Sequence, residues 1–256
     1  MAKSLPLLLA ASLLAATTFT PTFAAETAAF SDKIKLAMAS EKRSEKDKDR
    51  DRNRMPVETL KFFGIKDDMK VLELVPGRGW YTRLLASALA DKGQLYVGIG
   101  TRRIEEILPK DEVFSKVKVI AKDTKLSYNE EKHGSDAVVQ AIEVTDLDAV
   151  LTFRNYHNFT VEGRMAINKG ILSTLKPGGI YGVVDHTRRH MQDDNDENGR
   201  RVDPVLAIKE IEASGFEFVD YSNVHYHTDD ELRYEVGRKS VSGNTDRFTL
   251  LFKKPL

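Results

Sequence analysis

The chain has 256 residues and carries 39 basic and 39 acidic side chains, so its formal net charge at pH 7 is zero. That balance argues against a general nucleic-acid-binding protein, which needs a basic excess. The lack of cysteine excludes disulfides, thiolate metal sites and cysteine nucleophiles, and the length suffices for one large α/β domain.

The first 24 residues have the layout of a secretory signal peptide. A short positive start ends at Lys3, and an apolar stretch rich in leucine and alanine spans residues 5–16. Thr22 and Ala24 place small residues at the two positions that matter for cleavage after Ala24. The apolar stretch is shorter than the roughly 20 residues of a membrane-spanning helix, although an uncleaved anchor is the rival interpretation. We therefore expect export, most simply to the periplasm, with no stable membrane anchor after signal cleavage.

Residues 25–54 are predicted to be a charged helical segment that precedes the main domain. Within it, residues 41–54 carry a charge at nearly every position. One interpretation is a solvated helix whose opposite charges pair along its surface. The other is a lid, formed by Arg50, Asp51 and Arg54, that folds over the glycine loop downstream.

A strand, a glycine turn and a helix follow one another after this segment. Residues 70–74 have an apolar strand pattern that includes Glu73. A tight Gly-x-Gly turn follows at Gly77 and Gly79, and residues 81–90 have a helical pattern. The two glycines permit a sharp turn and the close approach of a ligand, and the free N–H groups of the helix point into the same corner. This arrangement predicts a nucleotide-binding corner, with Glu73 at the edge of the sheet where ligands bind.

From residue 55 to residue 256 the chain alternates between strand and helix patterns in one domain. The strand patterns occupy residues 70–74, 94–99, 117–121, 148–153, 180–184, 216–221 and 248–252. The helical patterns occupy residues 56–63, 81–90, 103–108, 162–175 and 204–213. Strands that alternate with helices imply a parallel sheet with helices on both faces, wound by right-handed crossovers. The predicted fold class is therefore α/β, a doubly wound and mostly parallel sheet of seven strands.

The glycine loop resembles the first motif of the class I S-adenosylmethionine-dependent methyltransferases. In that family the loop reads acid-x-Gly-x-Gly-x-Gly; Gly77 and Gly79 match its second and third glycines, and Val75 replaces the first. Residues 76–82 are similar to a branch of predicted methyltransferases that carry secretion signals, and the likeness spans residues 55–255. The resemblance implies a Rossmann-like sheet whose last strand lies antiparallel beside the fifth. It also implies S-adenosylmethionine as the cofactor and methyl transfer to a small molecule.

The same resemblance implies a set of cofactor contacts. Glu73, Gly77 and Gly79 would bound the amino-acid part of S-adenosylmethionine, since an acidic side chain suits a cationic aminoalkyl group. Tyr81 would pack either on the ligand or on the sheet. Asp123, just past the third strand, would contact the adenine amino group or serve as a turn residue.

The second strand departs from the family pattern. The family has an acid at its end that accepts hydrogen bonds from the ribose hydroxyls, whereas this strand ends Val-Gly-Ile-Gly-Thr. Thr101 or the backbone would have to serve instead, or Glu105 or Glu106 would have to reach back.

The loop after the fourth strand carries the densest group of polar side chains. Asn155 would orient a methyl acceptor, and His157, whose ordinary pKa lies near 6.5, would accept a proton from it. Asp185 and His186 end the fifth strand and are expected to face His157 across the crevice. They form either a second acid/base pair or, with His190, a metal site. Because no compact metal-binding spacing supports the second alternative, no metal is predicted.

Two further polar segments are expected at the surface. Residues 192–201 form a mostly acidic loop, interpreted as solvated. His225 and His227 lie in a long insertion before the last strand, where a surface loop is favoured over a two-ligand metal site.

Three functions remain open at this stage. The first is methyl transfer from S-adenosylmethionine to an unidentified small-molecule acceptor. The second is an exported, non-catalytic protein that binds a small ligand in the same crevice. The third is a hydrolase or lyase that uses His157 and His186 without the cofactor.

Overall fold

The computed structural model describes residues 23–140 and 142–256, with side chains from residue 28 onward in those ranges. The predicted signal peptide, residues 1–24, lies outside the described residues except for its last two, which begin the first helix. Within the described part of the chain, no helix is both long enough and apolar enough to cross a membrane.

The elements alternate along the chain much as the sequence predicts. The helices are α1 (Phe23–Met38), α2 (Glu45–Lys48), α3 (Asp51–Arg54), α4 (Pro56–Phe62), α5 (Trp80–Leu89), α6 (Arg102–Glu105), α7 (Val161–Thr174) and α8 (Pro204–Ala213). The strands are β1 (Lys70–Leu74), β2 (Gln94–Gly98), β3 (Lys118–Ile120), β4 (Lys125–Asn129), β5 (Gly134–Val138), β6 (Leu147–Phe153), β7 (Leu175–His186), β8 (Glu217–Ser222) and β9 (Arg247–Lys253).

The predicted seven-stranded, mostly parallel sheet is confirmed. Its strand order is β3-β2-β1-β6-β7-β9-β8, and β3, β2, β1, β6 and β7 run parallel. The last strand, β9, lies antiparallel between β7 and β8. Chain order reverses between β1 and β6, and ligands of open α/β sheets bind at such a switch point, beyond the carboxyl ends of the strands.

The fifth sheet strand begins earlier than predicted. We expected residues 176–179, Lys-Pro-Gly-Gly, to separate a helix from a strand that starts at Ile180. Instead β7 follows α7 directly at Leu175, and its pairing with β6 shifts register between Leu147 and Ala149. Residues 176–179 lie within β7 at this register shift, and Gly178 has a φ of 73°, a backbone conformation that favours glycine.

A β-hairpin formed by β4 and β5 is the element that the sequence did not indicate. It stands where a helix would ordinarily connect the parallel strands β3 and β6. Gly163 of α7 allows the hairpin to lie close, since a Cβ there would be 2.5 Å from the carbonyl oxygen of Ser135. Because β4 is almost wholly exposed, it lacks the apolar alternation by which a strand is recognised.

Apolar side chains cover both faces of the sheet, as alternation along each strand requires. Leu72 and Val150 point to the face that α7 and α8 cover, whereas Val71 and Leu151 point to the face that α1, α4 and α5 cover. Helix α1 packs on α4 and α5 through buried residues such as Phe30. The charged N-terminal segment therefore begins with a helix that belongs to the main hydrophobic core.

Candidate functional site

Backbone with a positive φ recurs at the carboxyl edge of the sheet. The residues that directly follow β1, β2, β3 and β6 all have a positive φ, at Val75 (49°), Ile99 (58°), Ala121 (55°) and Arg154 (59°). This conformation is rare for β-branched residues, and strained backbone gathers at ligand sites. Val75 occupies the position where the methyltransferase motif has a glycine, and the backbone nonetheless adopts the turn that glycine would permit.

A cavity of about 770 Å³ opens in front of β1 and β6, and we call it the corner cavity. It is bounded by the glycine loop, the start of α5, the end of β6 and the segment that contains α2 and α3. The lining residues are Ser44, Lys46, Asp47, Arg50, Arg54, Glu73, Val75, Pro76, Gly77, Arg78, Trp80, Tyr81, Arg103, Ile107, Phe153, Arg154 and Asn155.

The two motif glycines have different surroundings. A Cβ on Gly77 (φ 60°) would meet no atom within 4 Å, whereas one on Gly79 (φ 80°) would lie 2.5 Å from Cδ1 of Ile104. Gly77 thus leaves open space at the wall of the corner cavity, where a ligand can approach the backbone. Gly79 does not line the cavity, and it allows the start of α5 to pack closely against α6.

Glu73 places a buried carboxyl group at the wall of the corner cavity. The residue is 3% exposed, and the hydroxyl of Thr82 donates a hydrogen bond of 2.6 Å to its carboxylate. Burial raises the pKa of Glu73 to about 8, and the bond from Thr82 offsets part of that effect. A cationic ligand group beside Glu73 would favour the ionised carboxylate and so bind at this wall.

The raised pKa of Glu73 makes the stability of the fold depend on pH. The protonated form is favoured in the folded state, so this contribution is complete below the ordinary pKa of 4.5 and lost as pH rises to about 8. Relative to Glu73→Gln, the wild-type free energy of unfolding should fall by up to about 1.4 kcal/mol per pH unit in this window. Urea unfolding of both proteins at pH 5, 6.5 and 8 measures the difference, and a difference that is constant with pH would contradict it.

The charged N-terminal segment folds against the corner as the lid interpretation requires. The indole N–H of Trp80 donates to the carbonyl oxygen of Asp47 at 2.9 Å. Arg43, whose side chain is 1% exposed, forms a two-pronged ion pair with Asp51 at 2.7 and 2.5 Å. The prediction of a single helix is therefore wrong, because the segment forms two short helices, α2 and α3, with Arg43 and Arg54 buried.

Tyr81 holds the end of α3 against the sheet. Its hydroxyl donates to the carbonyl oxygen of Arg54 at 2.9 Å, and its ring stacks on Phe153 with centroids 3.6 Å apart. The guanidinium of Arg54 lies 4.3 Å from the centroid of Trp80, a cation–π distance. Tyr81 thus packs on the sheet and also lines the corner cavity, so its contact with a ligand stays a prediction.

Asn155 lines the corner cavity, but its amide is engaged by the protein. The Nδ2 group donates to the carbonyl oxygens of Val75 at 3.0 Å and of Phe153 at 2.9 Å, and Oδ1 accepts from Asn158 at 3.1 Å. The side chain therefore ties the ends of β1 and β6 together at the bottom of the cavity.

His157, Asp185 and His186 form one polar cluster, as expected from the strand order. Nδ1 of His157 donates to Asp185 at 2.7 Å, and the fully buried Asp185 also accepts from the backbone N–H groups of His157 and His186. His186 is buried, bonds Thr245 through Nδ1 at 2.8 Å, and has a pKa held well below its ordinary value by burial. Neither histidine lines the corner cavity, although His157 is two residues from Asn155.

The predicted contacts to adenine and ribose fall outside the corner cavity. Asp123 is exposed in a turn after β3, where it does not line the cavity. Three residues after β2, the Thr101 hydroxyl donates to Glu105 at 2.5 Å, a local bond at the start of α6. Glu105 likewise does not line the corner cavity.

The surface prediction is wrong for His225 and for the end of the loop at residues 192–201, where buried hydrogen bonds compensate for the polar groups. His225 is 2% exposed and bridges Thr249 at 2.7 Å and the Arg54 carbonyl at 3.0 Å, and burial lowers its pKa to about 4. Residues 193–197 of the loop predicted to be solvated are exposed, whereas Arg201 at its end is buried and pairs with Asp230.

The alternative metal site has no structural support in the described ranges. His190 pairs with Asp203 at 2.8 Å rather than joining the His157 cluster. No group of three or more histidine or acidic side chains in residues 23–140 and 142–256 is arranged to hold a metal ion.

Solved structures with similar folds are known, but neither protein-family models nor curated proteins match the chain. An S-adenosylmethionine-dependent methyltransferase from Aquifex aeolicus is 16% identical, with a TM-score of 0.55 over 87% of this chain and 97% of that one. The [4+2]-cyclase SpnF is 16% identical, with a TM-score of 0.53 over 80% and 81%. The glycopeptide N-methyltransferase MtfA, complexed with S-adenosylmethionine, is 12% identical, with a TM-score of 0.51 over 78% and 87%.

At this level of identity the likeness establishes the fold and leaves the reaction to be argued from the site. The inclusion of a cyclase shows that the architecture is not tied to one reaction. The seven-stranded sheet, with its antiparallel last strand and the crevice at the ends of β1 and β6, is the Rossmann-like fold of the S-adenosylmethionine-dependent methyltransferases.

Proposed function

We propose that the chain is an S-adenosylmethionine-dependent methyltransferase that acts on a small-molecule acceptor. The single observation that carries this proposal is the open space at Gly77 beside the buried carboxyl group of Glu73, at the wall of a cavity of about 770 Å³. Two solved structures with similar folds support it, since MtfA is complexed with S-adenosylmethionine in one and with S-adenosylhomocysteine in the other.

The residues of the corner cavity fit the amino-acid part of this cofactor. Glu73 would pair with its ammonium group, and Gly77 would let the backbone approach it. The bound cofactor supplies a methyl group on a sulfonium centre. Asn155 holds the ends of β1 and β6 at the separation that this binding needs, since its amide links both.

We further propose that His157 accepts the proton of the methyl acceptor. The bond from Nδ1 to Asp185 leaves Nε2 as the proton acceptor and fixes the orientation of the ring. Asp185 is then an orienting group. His186 is neutral and tied to Thr245, which disfavours a hydrolase or lyase that uses both histidines as acid and base.

Replacing His157 by glutamine is expected to lower kcat by about 100-fold or more, because proton transfer by a positioned base contributes about that much. The dissociation constant of S-adenosylhomocysteine should stay within about twofold, since His157 does not line the corner cavity. Formation of S-adenosylhomocysteine with a responsive acceptor measures the first quantity, and calorimetry measures the second. An unchanged kcat would remove His157 from the mechanism.

The non-catalytic alternative predicts ligand binding without turnover. The His157–Asp185 pair next to the corner cavity is the observation that favours an enzyme. A screen of acceptors that yields binding but no methylated product would favour the alternative.

Export is also a proposal, and it rests on the pattern of the first 24 residues. If it is correct, the purified exported protein starts at Ala25 and fractionates outside the cytoplasm. Finding the chain with residues 1–24 retained in the cytoplasm would contradict it.

Thermal unfolding with and without S-adenosylhomocysteine tests the proposed function. A ligand at 100 times its dissociation constant stabilises the folded state by about 2.7 kcal/mol, which raises the Tm of a domain of this size by several degrees. We expect such a rise with S-adenosylhomocysteine and none with adenosine at the same concentration. An unchanged Tm at millimolar S-adenosylhomocysteine would contradict the proposal.

A further inference from the structure

The corner cavity carries more positive charge than the cofactor can use. Its lining includes six basic residues and two acidic ones. One of the acids, Asp47, is already paired with Arg50 at 3.6 Å, and the other is Glu73, which the proposed function assigns to the cofactor's ammonium. The basic residues are Lys46, Arg50, Arg54, Arg78, Arg103 and Arg154.

Among the described residues, the guanidinium groups of Arg54 and Arg154 have no ion-pair or hydrogen-bond partner. That of Arg54 has only cation–π contacts there, with Trp80 and Tyr81. Arg54 is 7% exposed, and its Nε is buried without a hydrogen-bond partner. Leaving such a group unsatisfied is costly, so a ligand that accepts from it would bind favourably.

A third arginine, Arg247, lies next to Arg54 and Arg154 in an adjoining cleft. A small cleft of about 10 Å³ adjoins the corner cavity and is lined by Arg54, Arg154 and Arg247 together with Tyr81 and Phe153. Arg247 is 4% exposed; its Nη1 donates to the carbonyl of Asn53, but its Nε also lacks a partner.

The positive charges of Arg54, Arg154 and Arg247 repel one another, and this repulsion contributes to a lowered pKa of Arg54 and of Arg247. Burial, together with neighbouring arginines, lowers the pKa of Arg54 to about 8 and that of Arg247 to about 10. For both residues Arg154 is the neighbouring positive charge with the largest effect. A negatively charged ligand between them would relieve that repulsion.

The cofactor alone does not balance this charge. S-adenosylmethionine carries one carboxylate, which satisfies one guanidinium, and it brings an ammonium and a sulfonium of its own. With Glu73 assigned to the ammonium, the occupied cavity would remain positive, so the surplus belongs to the second ligand.

We propose that Arg54 and Arg154, assisted by Arg247, bind a doubly charged oxyanion group of the methyl acceptor, either a phosphate monoester or two neighbouring carboxylates. Guanidinium groups bind both kinds of group through paired hydrogen bonds. The inference rests on the proposed function, since it assigns the second ligand of the same cavity.

Calorimetric titration of the full chain with inorganic phosphate, succinate and acetate, at constant ionic strength, tests the inference with and without saturating S-adenosylhomocysteine. We expect phosphate or succinate to bind the S-adenosylhomocysteine complex about tenfold more tightly than acetate does. The tighter of the two dianions identifies the acceptor group. Equal affinities for all three anions, or displacement of S-adenosylhomocysteine by the dianion, would overturn the inference, because the arginines would then serve the cofactor's carboxylate.

Substitutions of single arginines identify the residues that bind the anion. Arg154→Gln should weaken dianion binding by about tenfold or more, whereas Arg233→Gln, an exposed arginine outside the corner cavity, should change it by less than about twofold. Arg247→Lys provides a second, charge-retaining variant if Arg154→Gln folds poorly, and it should weaken binding less than Arg154→Gln. Equal binding by all variants would overturn the assignment.

These experiments distinguish a failure of the anion-site inference from a failure of the proposed methyltransferase function. Binding of S-adenosylhomocysteine without a dianion site would overturn the present inference and leave the proposed function intact. Dianion binding that depends on Arg154, in a protein that does not bind S-adenosylhomocysteine, would support the anion site and contradict the proposed function.

Discussion

Replacing Arg201 by methionine is expected to lower the free energy of unfolding by about 3–5 kcal/mol, because the buried carboxylate of Asp230 loses its charge partner. Arg201 is buried and bonds both oxygens of Asp230, at 2.9 and 3.0 Å, as well as the carbonyl oxygens of Thr187 and Tyr234. It therefore joins the loop after β7 to the long insertion before β9. Chemical unfolding monitored by circular dichroism measures the loss.

The neighbouring arginine provides a matched control for this prediction. Arg200 pairs with Glu235 but is about half exposed, so Arg200→Met should cost less than about 1 kcal/mol. Equal effects of the two substitutions would show that the Arg201–Asp230 pair does not hold the insertion in place.

Replacing Gly77 by alanine is expected to weaken S-adenosylhomocysteine binding by about tenfold or more. The new Cβ would meet no protein atom within 4 Å, so it would occupy space at the wall of the corner cavity. Its φ of 60° also strains an alanine by about 1 kcal/mol, which affects stability in addition to affinity. Calorimetric titration of the variant measures the affinity.

The substitution Gly243→Ala is a control that separates the backbone strain of Gly77→Ala from its contact with the ligand. It has a φ of 89°, its nearest other atom to a Cβ is Nδ2 of Asn53 at 3.7 Å, and it does not line the corner cavity. Gly243→Ala should therefore carry a similar backbone cost and leave the affinity unchanged. A loss of affinity in Gly243→Ala as large as in Gly77→Ala would mean that backbone strain, and not contact with the ligand, explains the result.

The sheet could be predicted from the sequence because its central strands are buried on both faces. Apolar runs such as residues 148–153, bounded by turn residues, indicate strands without knowledge of their partners. The β4–β5 hairpin could not be recognised in this way, since its fit to α7 depends on the missing side chain of Gly163, a tertiary effect.

The candidate site could be predicted where a short motif or the order of the strands determines position. Glu73 and Gly77 lie in one short motif, and the structure places both at the same cavity wall. Arg54, Arg154 and Arg247 come together from three distant segments, so their cluster could not be predicted, although the lid interpretation places Arg54 at the corner. Buried polar groups such as His225 were misjudged because their partners are equally distant in sequence.

The measurement that tests the central claim most directly is calorimetric titration of the purified chain with S-adenosylmethionine and S-adenosylhomocysteine. The account predicts saturable one-to-one binding in the micromolar range, about −8 kcal/mol, weakened by about tenfold or more in Glu73→Gln because a charge partner of the ammonium group is lost. If neither ligand binds at millimolar concentration, the fold stands, but the corner cavity is not a site for this cofactor. If both bind the wild type and Glu73→Gln equally well, the placement of the cofactor beside Glu73 is wrong.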